Sequence, residues 1–193
     1  MISIDYYQQH AQRFFDETVA VDMSMLHERF LACLPPAALI LDAGCGSGRD
    51  ALAFLRRGYR VEAFDAASEM ADRARALTGL PVSTLRFDQF SAPARYDGIW
   101  CCASLLHVAE AELPGTFARL TQALKPGGIW YLSFKRGSGE REQNGRRFTD
   151  LTGARLRKLI EELDDVAVQD IWLSEDKRPG RNEVWVNGLV RRG

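Results

Sequence analysis

The sequence predicts an α/β fold: a mostly parallel sheet with helices packed on both faces. Three observations carry that reading. Short apolar runs alternate with amphipathic helical segments as far as Lys135. The first of these runs, Leu39-Ile40-Leu41-Asp42-Ala43, passes directly into Gly44-Cys45-Gly46-Ser47-Gly48 and then a helix. Near the C-terminus two strand-like runs are joined by only Asp176-Lys177-Arg178-Pro179-Gly180, a connection too short for a crossover, so that pair must be antiparallel.

The elements follow in order. The N-terminal stretch is polar and aromatic, and at helical spacing Tyr7, His10 and Phe14 share a face. These three either fold over the site as a lid or dock on the core. After the first strand, residues 50–57 carry Ala51, Leu52, Phe54 and Leu55 and stop at Gly58, a good helix breaker. Residues 59–65 alternate as a second strand ending in Asp65. Residues 68–78 place Met70, Ala71, Ala74 and Leu77 on one helical face, and Gly79-Leu80-Pro81 ends the helix. Residues 82–87 form the third strand and 96–102 a central fourth. Leu113, Phe117, Leu120 and Leu124 mark a helix packed on the sheet; Lys125-Pro126-Gly127-Gly128 breaks it, and 129–135 is the fifth strand. Residues 136–148 read as a long, charged, glycine-rich surface loop. A helix over 153–163 and strands over 166–173 and 183–190 complete the chain.

A chain of 193 residues, 46% hydrophobic, suits one domain with a substantial core. The expected division is an N-terminal helical lid (1–35), a cofactor-binding core (36–135), a substrate-side loop (136–150) and a C-terminal helix plus hairpin (151–193). A net charge of −1 supplies no global field for nucleic acid or membranes. Cys33, Cys45, Cys101 and Cys102 show neither CxxC nor metal-ligand spacing, so reduced thiols, a cytoplasmic location and no metal are expected. No segment approaches about 20 apolar residues, and the N-terminus lacks the form of an export signal.

Glycine at Gly44 and Gly46 permits close backbone approach by a ligand. The spacing GxGxG followed by Arg49 departs from GxGxxG, which points away from NAD. Asp65 lies about 20 residues beyond the loop, the offset at which an acid accepts hydrogen bonds from a ribose diol. The two features agree on a ribose-bearing ligand.

The ordered segments LDAGCGSGRD, FDAASEM, YDGIWCCASLLHV and LKPGGIWYLSFK resemble class I S-adenosylmethionine (SAM)-dependent methyltransferases, nearest the small stand-alone bacterial tellurite-resistance type. The resemblance implies a Rossmann-like doubly wound sheet of seven strands, order 3-2-1-4-5-7-6, with strand 7 antiparallel. It implies SAM at Asp42, Gly44, Cys45 and Gly46, with Asp65 as the ribose acid and Ala66 and Met70 packing nearby. Asp88 with Gln89 is similar to the adenine-amine position, and Cys102 and Ala103 to the segment near the sulfonium. Met70 equally fits the core, Asp88 a turn cap, and Arg49 either the cofactor carboxylate or a solvated first helical turn.

Methyl transfer needs alignment rather than a nucleophilic residue, and a general base helps a hydroxyl or protonated amine. His107, after the fourth strand, is the candidate base or else a packed structural ring. Arg136, Arg141, Arg146 and Arg147 either bind an anionic acceptor or are solvated. The expected activity is methylation of a small-molecule acceptor. Its alternatives are methylation of tRNA or protein, and a non-catalytic SAM-binding sensor or partner protein.

Overall fold

In the computed structural model, which describes residues 2–193, the apolar runs form one seven-stranded sheet flanked by helices. In chain order the elements are α1 (Ile2–Gln9), α2 (Ala11–Thr18), α3 (Ser24–Leu31), β1 (Leu39–Ala43), α4 (Arg49–Arg56), β2 (Arg60–Asp65), α5 (Ser68–Thr78) and β3 (Ser83–Thr84). Then come β4 (Tyr96–Cys101), α6 (Leu113–Ala123), β5 (Leu124–Lys135), β6 (Gly139–Gln143), β7 (Arg146–Asp150), α7 (Gly153–Glu161), β8 (Val166–Glu175) and β9 (Val184–Arg192). The sheet order is β3-β2-β1-β4-β5-β9-β8. With the separate β6–β7 pair set aside, this is the expected 3-2-1-4-5-7-6 order. β1 pairs in parallel with β2 and β4, while β9 runs antiparallel to both β5 and β8.

Strand alternation divides the core between the two faces. Ile40, Trp100 and Tyr131 pack with Phe30 of α3 and Phe54 of α4. Leu41, Ile99, Trp130, Leu132 and Phe134 pack with Phe117 and Leu120 of α6 and Leu156 of α7. Both faces are covered, so the central strands are largely apolar rather than strictly alternating with polar residues. Burial of each of these large side chains stabilises the fold by roughly 1.5–3 kcal/mol relative to exposure.

Three local readings are corrected. Residues 136–148 are not an irregular loop: β6 and β7 form a hairpin whose turn is Asn144-Gly145, both at positive φ (52° and 70°). That is the geometry an Asn-Gly turn favours, and it overrides the high charge of the flanking strands. The third strand shrinks to two residues because Phe87–Gln89 winds into a short 3₁₀ turn. β5 begins at Leu124, so the Pro-Gly-Gly segment is absorbed as an irregularity within the strand, with Gly127 at φ 77°.

Candidate active site

The carboxyl ends of β1, β2 and β4 surround a cavity of about 1360 Å³ where the strand order reverses. Open α/β sheets bind ligands at this switch point. Drug-sized ligand pockets span roughly 300–1,000 Å³, so this volume suits a cofactor together with a second small molecule.

The glycine loop closes one end. Gly44 N–H and Cys45 N–H both donate to the Phe64 carbonyl (2.9 and 3.0 Å), so these two donors are committed within the fold. Gly44 has φ 76°, and a Cβ there would lie 2.5 Å from the Ser104 Cβ; the glycine is required by its own protein neighbour. Around Gly46 there is more room, with Phe14 at 3.5 Å from a hypothetical Cβ. Gly46 N–H donates to Asp65 Oδ2 (2.8 Å), and Ala67 N–H donates to Oδ1 (2.9 Å). Asp65 therefore faces the loop and is fixed by two main-chain donors. A carboxylate offers about four lone-pair sites, so two remain for further donors. Burial raises the Asp65 pKa and the main-chain donors oppose that rise.

Behind the loop, Asp50 is the centre of a buried polar network. It accepts from Arg49 Nε (2.7 Å), Arg49 Nη2 (2.8 Å), His27 Nε2 (2.9 Å) and Trp100 Nε1 (2.9 Å). Burial alone would raise the Asp50 pKa, but Arg49 and His27 more than offset it and hold the carboxyl well below the usual carboxylate range. Arg49 is thus anchored within the fold and still borders the cavity, beside Cys102. Asp42 accepts from Ala51 N–H (3.1 Å), and burial together with the Asp50 charge pushes its pKa up. Burial likewise pushes the Cys102 thiol up to about 12, which leaves it protonated and poorly nucleophilic.

At the far end, His107 bridges the lid and the hairpin. Its Nδ1 lies 2.8 Å from the Arg147 carbonyl and its Nε2 lies 2.8 Å from the Tyr7 hydroxyl. A carbonyl only accepts, so Nδ1 carries the proton and the Tyr7 O–H donates to Nε2. Burial, with Arg146 and Lys135 nearby, lowers the His107 pKa to about 4. The folded protein thus resists protonating this ring, and the stability it contributes is complete above the unfolded value near 6.5. That contribution is lost as pH falls through about 4. His107→Gln is expected to flatten this part of the acid dependence, measured by urea unfolding at pH 7.5, 5.5 and 4. An identical slope in both proteins would remove His107 as its source.

The structure brings Asp42, Gly44, Cys45, Gly46, Arg49, Asp65, Ala66, Met70, Asp88, Cys102, Ala103, His107, Tyr7, Phe14 and Arg147 to the cavity wall. Met70 is almost fully buried and packs with Ala11 and Ala67 beneath the lid. Asp88 is exposed and paired with Arg86 (2.6 and 2.9 Å). Three other residues lie outside the wall. Gln89 accepts from Arg86 N–H (3.1 Å) in its own turn. His10 sits at the break between α1 and α2 and stacks on Tyr6 instead of sharing the face of Tyr7 and Phe14. Arg136 is exposed at the start of the hairpin segment.

Sequence reasoning missed the wall formed by β5 and the C-terminal hairpin: Tyr131, Ser133 and Lys135, with Trp172, Trp185 and Asn187. Lys135 pairs in register with Trp185, and Ser133 with Asn187. The available signal was Ser133 and Lys135 at period two inside an otherwise apolar strand.

The sheet has the Rossmann-like strand order of the methyltransferase fold. Residues 40–128 match the family model described as Methyltransferase domain. One relative is an S-adenosyl-L-methionine-dependent Diels-Alderase of Talaromyces variabilis, 33% identical over 131 residues, covering 61% of this chain and 44% of that protein. Another is a malonyl-[acyl-carrier protein] O-methyltransferase of Serratia marcescens, 31% identical over 121 residues, covering 62% of this chain and 47% of that protein. The chain thus spans under half the length of these curated relatives. Among solved structures, the Burkholderia thailandensis 1,6-didemethyltoxoflavin-N1-methyltransferase, bound to its acceptor and S-adenosylhomocysteine, superposes with a TM-score of 0.79. It shares 23% identity, with 98% of this chain and 84% of that one covered.

Proposed function

We propose that this protein is a SAM-dependent methyltransferase acting on a small-molecule acceptor. The observation that carries the reading is Asp65, turned toward the glycine loop at the edge of an open cavity and fixed there by Gly46 and Ala67 N–H groups. The residues fit the cofactor: two lone-pair sites on Asp65 suit a ribose diol, Ala66 and Met70 flank the same edge, and Arg49, its charge answered by Asp50, borders the cavity. When bound, SAM supplies an electrophilic methyl group on a sulfonium.

The rest is done by the chain itself. α1 and α2 flank the cavity with Tyr7 and Phe14. Neutral His107 holds the Tyr7 hydroxyl in place through Nε2, which leaves the Tyr7 oxygen to accept a hydrogen bond from an acceptor O–H or N–H at that end. Cys102 and Ala103 form a small wall between the two ends. Methylation of tRNA or protein has less support, because the charge is balanced and no recognition domain is present among residues 2–193. The resemblance to tellurite-resistance-type members belongs to this reading and rests on GCGSGR and the Phe134-Lys135 step. So does a cytoplasmic location, supported by four free thiols.

Calorimetry tests the reading. S-adenosylhomocysteine is expected to bind saturably and NADH not at all, and methyl-labelled SAM should transfer label to a member of a small-molecule hydroxyl, amine and carboxylate panel. Binding of NADH in preference would overturn the cofactor assignment. Tight cofactor binding without transfer would favour a non-transferring role such as that of the Diels-Alderase relative.

A further inference from the structure

Three cations surround one buried ring at the acceptor end of the cavity. Lys135 Nζ and the Arg141 and Arg146 guanidinium carbons lie 4.6, 4.6 and 5.1 Å from the Phe148 centroid. Two of them are neutralised: Lys135 by Glu183 (3.1 Å) and Arg141 by Asp150 (2.5 Å). Arg146 has no carboxylate partner among the described residues. Its guanidinium also stands over Tyr6 at 4.5 Å, and its buried Nε has no hydrogen-bond partner. A buried N–H left unpaired costs about 1–3 kcal/mol, more when charged, so such an atom marks a place where a partner is missing. Arg119, Arg147, Lys177 and Arg181 also line the cavity, but none of them carries a buried nitrogen without a partner. Arg178 is paired with Asp176 (2.5 Å), and Arg147 has its backbone engaged by Ser3 and His107.

Arg146 lies next to Tyr7 and His107, the pair placed at the methyl-accepting end. Tyr7, Phe148, Trp172 and Trp185 line the same cavity and give it flat apolar walls. A guanidinium without a counter-ion matches a negative charge, and its planar fork matches a carboxylate. We infer that Arg146 is the acceptor-recognition residue of this site, and that the acceptor is a small planar molecule bearing a carboxylate. This inference rests on the methyltransferase reading, since it takes the Tyr7–His107 end as the acceptor end. Arg146 is then a specificity determinant and not a proton-transfer group.

The test uses the full chain saturated with S-adenosylhomocysteine and titrated with benzoate, 4-hydroxybenzoate and nicotinate, each against its neutral amide. At least one carboxylate is expected to bind ten times or more tighter than its amide, with affinity falling as salt is raised. Arg146→Gln should abolish that preference, Arg146→Lys should retain part of it, and Arg136→Gln, outside the cavity, should leave it unchanged. Equal binding of every acid and amide, or an acid preference that survives in Arg146→Gln, would overturn the inference. If Arg146→Gln fails to fold, the acid–amide comparison in the wild type and in Arg146→Lys still decides. Failure of the methyltransferase reading shows separately, as absence of S-adenosylhomocysteine binding in the first step.

Discussion

Asp50→Ala is expected to lower the free energy of unfolding by about 3–5 kcal/mol, the largest effect of any single substitution considered. The carboxylate accepts from His27, Arg49 and Trp100 in a site closed to water, so its removal leaves the Arg49 charge buried without a counter-ion. Asp50→Asn keeps the volume and one acceptor, so its loss should be smaller than that of alanine. Urea unfolding followed by tryptophan fluorescence measures both, because Trp100 donates to Asp50 and stacks on Tyr131 at 3.9 Å. The network should also persist into acid. A carboxyl with a depressed folded pKa contributes stability above its unfolded value near 3.9, lost only as pH falls toward the folded one. A loss under about 1 kcal/mol for Asp50→Ala would mean that the network is energetically idle.

Asp65→Ala should weaken S-adenosylhomocysteine binding at least tenfold. Hydrogen bonds to a charged group contribute about 1.5–3 kcal/mol each, and 1.4 kcal/mol is a factor of ten. The structure adds a second cost, because Gly46 and Ala67 lose their acceptor and the glycine loop loses its tie to the end of β2. The variant is therefore expected to show a lower Tm as well as weaker binding. Measuring both separates loss of the ligand contact from loss of the loop. An unchanged Kd would take Asp65 out of the binding site, whatever happens to the Tm.

The succession of strands and helices was readable because it depends on short-range patterns, apolar runs and glycine breaks, while the sheet order followed from the family resemblance. What escaped was hidden by charge in one place and by longer-range pairing in another. The hairpin at β6–β7 was hidden by its arginines and glutamates, although Asn144-Gly145 carried the turn signal. The inward side of β5 and β9 was hidden because register is set by pairing between residues far apart in the chain, as in Lys135 with Trp185 and Ser133 with Asn187. His10 was misplaced for a related reason. A continuous helical period cannot foresee the chain break at φ −116° that turns the ring away from Tyr7 and Phe14.

That break has a thermodynamic meaning. It leaves α1 and α2 with eight residues each, below the roughly 12–15 at which an isolated helix becomes even marginally stable in water. Their order is borrowed from a few anchoring points: Ser3 on the Arg147 backbone, Tyr7 on His107, and Gln8 on Ser68 and the Glu69 amide. Occupancy beneath the two helices and the winding of the helices themselves are therefore one linked equilibrium. Part of the affinity for any guest is spent on completing the roof above it, and the guest's departure loosens that roof in return.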